Sequence, residues 1–453
     1  MLLLTCFMSQ YPVLEPLLSP QCIIHHLPPI WIEEVMISLG LFFFNLGVEG
    51  TIGVNYGTVA SNLPPPAQVA HFLVESTIIS RVRLFDADSN ILKAFAHTGI
   101  AVSVTVPNDE IPRLTKLNFA QQWVENNIQP YTPNTNIVRI LVGNEVLSTA
   151  NKLLIGSVVP AMQNLHSALF EASLDRRIQV STPHSLGIIS NSSPPSTAMF
   201  RQGYDTYVLK PLLSFLRATN SPLMVNPYPF FGCSLDTLDF ALFRPNAGVL
   251  DENTGHVYTN MFDAQLDSVF SAMKFLGFDD VEIVIAETGW PSMGDSTQVG
   301  VDAKSAAEYN GNLIRHVISG AGTPLMPNRT FETYIFALFN EDFKEGPTCE
   351  RNFGLFHTNM TPVYDNWILR RTTAAAAAYF HPHRMRIDGS SSGSNGSNKR
   401  SIKNNNYYKQ LENHVEKQVM RVLKNELYQH HLQEEKREQL KLKSKLELKP
   451  RHH

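Results

Sequence analysis

The chain has 453 residues, which is long enough for one large domain or for two to three smaller ones. Hydrophobic residues make up 43% and charged residues 17%, as in an ordinary globular protein, and the formal net charge of −4 gives no reason to expect a nucleic acid partner. The four cysteines, Cys6, Cys22, Cys233 and Cys349, show no C-x-x-C spacing, which argues against a zinc site and against a disulfide-rich scaffold.

The first 50 residues differ in character from the rest of the chain. Residues 36–48 hold an apolar run as long as the hydrophobic region of a signal peptide and too short to span a bilayer. Val48 and Gly50 are small enough for positions −3 and −1 of a cleavage site, but no Lys or Arg precedes Arg81, so the usual positive segment is missing. We expect residues 1–50 to be an N-terminal extension with a signal peptide at about 36–50, and the protein to be secreted. A buried or disordered segment is the alternative.

Four N-x-[ST] triplets accept N-linked glycans in secreted proteins, and they begin at Asn191, Asn328, Asn359 and Asn395. Such triplets are common by chance. They are compatible with a secreted glycoprotein and add little to that expectation.

From residue 51 onwards the chain alternates between strand-like and helix-like segments. The strand-like runs, rich in β-branched residues, are 52–56, 80–85, 100–106, 137–142, 178–182, 223–226, 281–286 and 333–339. The helix-like stretches are 67–76, 91–97, 119–128, 153–172, 204–217, 261–276 and 303–319. This order predicts an α/β fold, a (β/α)8 TIM barrel with an open groove at the carboxyl ends of its strands. A doubly wound open sheet is the alternative, but no G-x-G-x-x-G follows the first strand.

Two glutamates end buried strands in this scheme. Glu145 follows the fourth strand and Glu287 the seventh, so in a parallel barrel both open on the same face. Glycoside hydrolysis needs such a pair, one carboxyl to protonate the leaving oxygen and the other to attack the sugar or to activate water. Asn144 is placed to reach the sugar 2-hydroxyl. A single strand-end glutamate is more often a helix cap or an ion-pair partner, but the pair favours catalysis.

Seven motifs occur in one order between residues 52 and 365. They are G-V-N-Y-G (53–57), R-V-R-L-F-D (81–86), V-G-N-E (142–145), N-P-Y-P-F-F (226–231), A-E-T-G-W-P-S (286–292), F-A-L-F-N-E (336–341) and E-R-N-F-G-L-F (350–356). This set resembles the plant β-1,3-glucanases of glycoside hydrolase family 17. The resemblance implies a grooved barrel, endo-hydrolysis of β-1,3-glucan with retention of configuration, and a place in the extracellular space or cell wall.

The resemblance also assigns roles to particular residues. Glu145 matches the acid/base of the family and Glu287 its nucleophile, with carboxyl groups expected about 5–5.5 Å apart as in retaining enzymes. Further charged residues of the cleft match Glu341, Lys344 and Glu350, and the motifs that line the subsites contain Tyr56, Asn226 and Tyr228.

Two of the charged residues carry an open alternative. We expect Lys344 to keep the Glu287 side of the site negative by Coulombic attraction. The alternative is that Lys344 is an ordinary surface lysine. For Glu350 the alternative is a structural ion pair with its neighbour Arg351.

Aromatic residues near strand ends suit sugar binding, because pyranose rings present apolar C–H faces that stack on π-systems. Trp290 and Tyr228 lie just past strand ends and are expected to bind substrate. For Phe230 and Phe231, stacking and core packing are equally compatible with the sequence. His184 ends the fifth strand and is expected to be a hydrogen-bonded structural residue; no metal-ligand spacing or cofactor motif occurs.

Beyond the barrel domain, taken as residues 51–372, the composition changes. Residues 373–398 form an Ala/Ser/Gly-rich linker, and residues 399–453 form a charged tail that is partly helical or disordered. We expect a monomer without stable membrane insertion that binds β-1,3-glucan and needs no cofactor. A glucan-binding wall protein that has lost turnover, or another retaining β-glycanase with the same two acids, is the alternative. Whether Cys233 and Cys349 pair stays open.

Overall fold

In the computed structural model, which describes residues 50–366 and Leu369, eight parallel strands form a barrel. The strands are β1 (Ile52–Tyr56), β2 (Arg81–Leu84), β3 (Ala101–Val106), β4 (Asn136–Val142), β5 in two segments (Gln179–Ser181 and Pro183–Ser185), β6 (Leu223–Asn226), β7 (Ile283–Thr288) and β8 (Thr333–Ile335). Each pairs with the next along the chain, and β8 pairs with β1, so the sheet closes on itself. The interruption at Thr182 separates the segment of β5 that pairs with β4 from the segment that pairs with β6. The predicted (β/α)8 barrel is confirmed.

The seven longest helices of the described chain alternate with the strands. They are α1 (Pro66–Ser76), α2 (Ser89–Ala94), α3 (Leu117–Asn127), α4 (Lys152–Glu171), α5 (Lys210–Ala218), α6 (Met261–Phe275) and α7 (Ala303–Ile318). Side chains cap several of these helices: Asp88 accepts from two backbone amides at the start of α2, and Asp302 accepts from Ser305 N at the start of α7.

The strands are buried on both faces, which explains their continuous apolar runs. Inside the barrel a small cluster is made by Leu141, Met224, Val284, Ala286 and Tyr334, while the outward-facing strand residues join the large core beneath the helices. α4 is long and apolar enough to cross a membrane by length and composition. Its residues Val158, Met162 and Leu165 are fully buried, as expected for a core helix of a barrel.

Cys233 and Cys349 are both free thiols, so the bridge between them is not formed. The expected signal peptide, the linker at 373–398, the tail at 399–453 and the triplet at Asn395 fall outside the described residues, apart from Gly50 at the edge of the barrel.

Candidate active site

A cavity of about 540 Å³ opens at the carboxyl ends of the strands. Its lining includes the predicted site residues Asn144, Glu145, Asn226, Tyr228, Glu287, Lys344 and Glu350. They come from strands and loops spread over some 200 residues of sequence, and the barrel brings them together because parallel strands end on one face.

Glu287 lies within β7 and is 6% exposed. Its two carboxylate oxygens have different partners: Arg83 Nη1 lies 2.6 Å from Oε1, and the Tyr228 hydroxyl donates to Oε2 over 2.9 Å. The negative charge is therefore paired with a buried cation and is held in one orientation by two donors. A carboxylate fixed in this way is suited to act as a nucleophile from a defined direction.

Arg83 is one of two site residues that were not predicted from the sequence. It lies in β2, is fully buried, and donates from Nη2 to Asn144 Oδ1 over 2.7 Å as well as from Nη1 to Glu287 and to the carbonyl oxygen of Ala286. The guanidinium therefore links the side chains that follow β4 and β7. An arginine inside a buried strand was the available signal, since such a charge needs a partner.

Arg83 also takes the place expected for Lys344. The structure puts the Lys344 ammonium 5.1 Å from the centre of the Phe336 ring, on the cavity wall. The positive charge of Lys344 lowers the pKa of Glu341 and of Glu350, partly opposing the rise that burial causes in both. The cation that contacts the Glu287 carboxylate is Arg83.

Glu145 sits on a sharp turn directly after β4. Its backbone is left-handed, with φ of 51°, and its amide donates to the carbonyl oxygen of Pro183 over 3.0 Å. Gly143 precedes it with φ of 74°, where a Cβ atom would lie 2.5 Å from Asn108 Oδ1. A non-glycine residue costs on the order of 1–3 kcal/mol in this conformation. The turn V-G-N-E therefore aims Glu145 into the cavity at the expense of local strain.

The surroundings of Glu145 favour its protonated form. Burial raises the pKa of the Glu145 carboxyl, and the negative charges of Glu287 and Glu350 raise it further. The hydrogen bond from Asn226 Nδ2 to Glu145 Oε1, 2.8 Å long, and the charge of Arg83 lower the same pKa in part. Glu145, with its raised pKa, is suited to donate a proton, and the carboxylate of Glu287, paired with Arg83, is suited to attack as a nucleophile. A displacement that is assisted by an acid needs both of these groups.

Asn144 is held from two sides. Its backbone amide donates to Asn108 Oδ1 over 2.8 Å, and Asn108 Nδ2 donates back to the carbonyl oxygen of Asn144 over 3.1 Å. Its side-chain oxygen accepts from Arg83, and the residue lines the cavity. Asn108 is a second positioning residue that was not predicted.

Three of the predicted substrate-binding residues do not line this cavity. Trp290 is fully buried, donates from Nε1 to the carbonyl oxygen of Gly300 and packs against Tyr309 at 5.3 Å between ring centres. Tyr56 is 2% exposed and packs edge-on against Phe339. Neither Trp290 nor Tyr56 lines this cavity, because a position just past a strand end does not fix which way a side chain points. Sugar contact by these two residues stays a prediction.

Glu341 is the third such residue. It is 3% exposed, and its Oε1 accepts the backbone amide of Val59 over 2.9 Å. Its carboxylate therefore joins the loop after β1 to the loop after β8 and is not part of the cavity lining. The ion pair considered for Glu350 is also replaced, since Arg351 Nη1 donates to the carbonyl oxygens of Lys344 and Gly346.

The two phenylalanines that the sequence left undecided have opposite roles. Phe230 is 7% exposed and packs against Trp290 in the core. Phe231 is 62% exposed and lines the cavity. His184 is fully buried, and neither of its ring nitrogens has a hydrogen-bond partner in the structure, so the expected hydrogen bond is absent.

No metal centre occurs in the part of the chain that the structure describes, since no three His, Cys, Asp or Glu side chains are grouped to hold an ion there. The predicted site residues on the cavity wall carry carboxyl, amide, phenol and ammonium groups, and the buried Arg83 guanidinium is hydrogen-bonded to two of these side chains, Glu287 and Asn144.

Comparison with known proteins points to one family. The model of glycosyl hydrolases family 17 matches residues 52–366. The chain is 48% identical over 330 residues to a glucan endo-1,3-beta-glucosidase of Triticum aestivum, covering 72% of this chain and 71% of that protein. It is 46% identical over 336 residues to a glucan endo-1,3-beta-D-glucosidase of Olea europaea, covering 73% and 72%.

Solved structures agree with the sequence comparison. The fold is similar to that of CJP38, a beta-1,3-glucanase and allergen of Cryptomeria japonica pollen, with 43% identity and a TM-score of 0.66 over 69% of this chain and 98% of that one. It is also similar to a plant beta-glucan endohydrolase, with 37% identity and a TM-score of 0.62 over the same shares.

Proposed function

The chain belongs to glycosyl hydrolases family 17, and from that premise we propose that it cleaves β-1,3-glucosidic bonds inside (1→3)-β-D-glucan chains of the callose or laminarin type, with retention of configuration. The mechanism rests on the placement of two carboxyl groups, those of Glu145 and Glu287. Both line one cavity, one with a raised pKa and the other with its charge paired to Arg83.

The first step forms a covalent intermediate. A carboxylate oxygen of Glu287 attacks the anomeric carbon while Glu145 donates its proton to the glycosidic oxygen, so the C–O bond breaks and the leaving chain departs as an alcohol. The Asn144 amide is placed to hydrogen-bond the sugar 2-hydroxyl, a contact that strengthens as the ring flattens.

The second step returns the enzyme to its starting state. In the intermediate Glu287 is an uncharged ester, so the negative charge that raised the pKa of Glu145 is gone. The pKa of Glu145 falls, and the carboxylate accepts a proton from water as the water oxygen attacks the anomeric carbon. Glu287 leaves as a carboxylate towards Arg83 and Tyr228, the two groups that hold it in the free enzyme.

A reducing-sugar assay on laminarin tests the function. The wild type is expected to release reducing ends, and Glu287→Gln and Glu145→Gln are each expected to lose activity by several orders of magnitude at unchanged fold. Proton NMR of the first product formed should show the β-anomer before mutarotation. Absence of turnover by a folded wild type would refute the hydrolase, and an initial α-product would refute the double displacement.

A glucan-binding protein without turnover is not favoured. Such a protein needs the groove but not two carboxyl groups with separate polar partners. Glu145 with Asn226, and Glu287 with Arg83 and Tyr228, form that more demanding arrangement.

We propose further that the protein is secreted to the cell wall as a monomer and that residues 51–372 form its catalytic domain. Secretion is supported by the apolar run at 36–48 and by the exposure of the asparagines of three glycosylation triplets, Asn191, Asn328 and Asn359. Expression in a eukaryotic secretory host with and without residues 1–50 tests export, and glycosidase treatment of the product tests glycan addition. Retention inside the cell in both cases would contradict export. Light scattering of the purified protein measures its mass in solution.

A further inference from the structure

Two loops at the cavity face are tied together. The Val59 amide donates to Glu341 Oε1 over 2.9 Å, the Phe343 amide donates to the carbonyl oxygen of Val59 over 3.1 Å, and the Ser61 amide donates to Asp342 Oδ1 over 2.8 Å. These bonds join the segment after β1 to the segment after β8. The two loops therefore behave as one surface with a fixed relative position.

The close approach depends on Gly57. A Cβ atom at this position would lie 2.3 Å from Glu341 Oε1, well inside contact distance. Glycine therefore lets the Glu341 carboxylate lie against the backbone of the first loop, where it accepts the Val59 amide.

Two apolar side chains are exposed on this joined surface. Val59 is 46% exposed and Phe343 is 64% exposed, and we call them the Val59–Phe343 patch. The residue after Phe343 is Lys344, which lines the cavity. The patch therefore lies on the loops that follow the carboxyl ends of β1 and β8, and one of its residues is the sequence neighbour of a residue of the cavity lining.

We propose that the Val59–Phe343 patch binds a glucosyl unit of the β-1,3-glucan chain outside the cavity, with the apolar face of one pyranose ring stacked on Phe343. This inference rests on the proposed function. A cavity of about 540 Å³ is of the size that encloses a small ligand. A chain that is cut internally extends from such a cavity in both directions, so it must cross the rim.

The chemistry of the patch fits that occupant. An aromatic face and an adjacent aliphatic side chain complement the C–H face of a sugar ring, while the ring hydroxyls stay in water. Exposed aromatic side chains beside a binding cleft often mark a binding surface. Lys344, which lines the cavity, supplies a donor for a hydroxyl where the chain enters.

Kinetics on two substrate lengths test the patch. Phe343→Ala is expected to raise KM for laminarin about 3- to 10-fold with little change in kcat, because one aromatic contact is lost. KM for laminaritriose, which is short enough to stay within the cavity, is expected to stay the same. Phe343→Tyr is expected to keep the wild-type value for laminarin, since it retains the ring. The matched control is Phe275→Ala. Phe275 is 70% exposed at the end of α6, on the opposite face of the barrel, and its loss should leave both substrates unaffected.

An unchanged KM for laminarin in Phe343→Ala would overturn the proposal, and so would an equal rise for both substrates, since that would place the effect inside the cavity. The inactive Glu287→Gln protein gives a second readout that needs no turnover. Affinity electrophoresis in laminarin gels should show weaker retardation when Phe343→Ala is added to Glu287→Gln. If the wild type hydrolyses nothing, the proposed function fails, and the gel measurement still decides whether the patch binds glucan.

Discussion

The buried ion pair between Arg83 and Glu287 allows a direct test of how the site is held together. Arg83 is 0% exposed at its side chain and Glu287 8%, so both charges are largely removed from bulk water. Arg83→Met removes donors from Glu287 Oε1, Asn144 Oδ1 and the carbonyl oxygen of Ala286. Removing one partner of a buried pair costs about 3–5 kcal/mol of unfolding free energy. We expect the variant to lose that amount.

The ion pair between Arg83 and Glu287 also predicts that the losses of unfolding free energy in the two single variants do not add up to the loss in the double variant. Glu287→Gln leaves the Arg83 charge buried without its counter-charge, so each single variant carries the cost of an unpaired group. In the double variant both charges are gone, and the loss is expected to be about 1–3 kcal/mol smaller than the sum of the single losses. Urea unfolding followed by tryptophan fluorescence at one pH measures the unfolding free energies of the four proteins.

An ion pair on the surface of the protein supplies the control for the buried pair. Arg217 and Asp280 also form an ion pair, with side chains 42% and 58% exposed, so Arg217→Met should cost less than about 1 kcal/mol. If the Arg83 and Glu287 effects add within about 0.5 kcal/mol, the two side chains do not act as a coupled pair, and the account of how the nucleophile is held is incorrect. The laminarin assay adds a functional readout, since Arg83→Met is expected to lower kcat by on the order of 10²-fold or more.

Three further predictions follow from individual contacts. Asn226→Ala removes a hydrogen bond that lowers the pKa of Glu145, so that pKa should rise. The alkaline limb of the pH dependence of kcat/KM should therefore move to higher pH. A limb that stays in place or moves to lower pH would contradict the assignment of Glu145 as the acid. Burial lowers the pKa of His184 to about 4, from 6.5 when unfolded, so stability is fully present above pH 6.5 and is lost as the pH falls towards 4. Between pH 7.5 and pH 4 the wild type should therefore lose about 3 kcal/mol more unfolding free energy than His184→Leu, and equal losses would show that the histidine is not buried in its neutral form. Trp290→Phe should destabilise the fold by roughly 1–3 kcal/mol, because it leaves a void and an unpaired Gly300 carbonyl. KM for laminarin should stay unchanged. A raised KM without loss of stability would instead indicate that Trp290 contacts the substrate.

Much of the fold could be predicted from the chain because its signals are local. A strand buried on both faces reads as a continuous β-branched run, and an alternation of such runs with amphipathic stretches leaves few topologies. The observed strands β1, β4 and β6 agree with the predicted segments to within one residue at each end. The placement of Glu145 and Glu287 in one cavity follows from that order alone, since parallel strands present their carboxyl ends on one face.

The direction in which each side chain points near a strand end could not be predicted from local signals in the sequence. Trp290 and Phe231 both follow strands, yet the first is fully buried and the second is 62% exposed on the cavity wall. A turn of the backbone by one residue exchanges the two faces, and the sequence carries no local signal of that turn. The buried Glu341 shows the same limit, because its partner, the Val59 amide, is 282 residues away.

The amino-acid sequence by itself determined the barrel, its strand order and the two acids that open at its carboxyl end, since these depend on periodicity and on motifs. Only the tertiary structure decided which cation pairs with the nucleophile. Arg83 and Glu287 are separated by 204 residues, and they meet because closing the barrel leaves a buried carboxylate and a buried guanidinium with each other as charge partners.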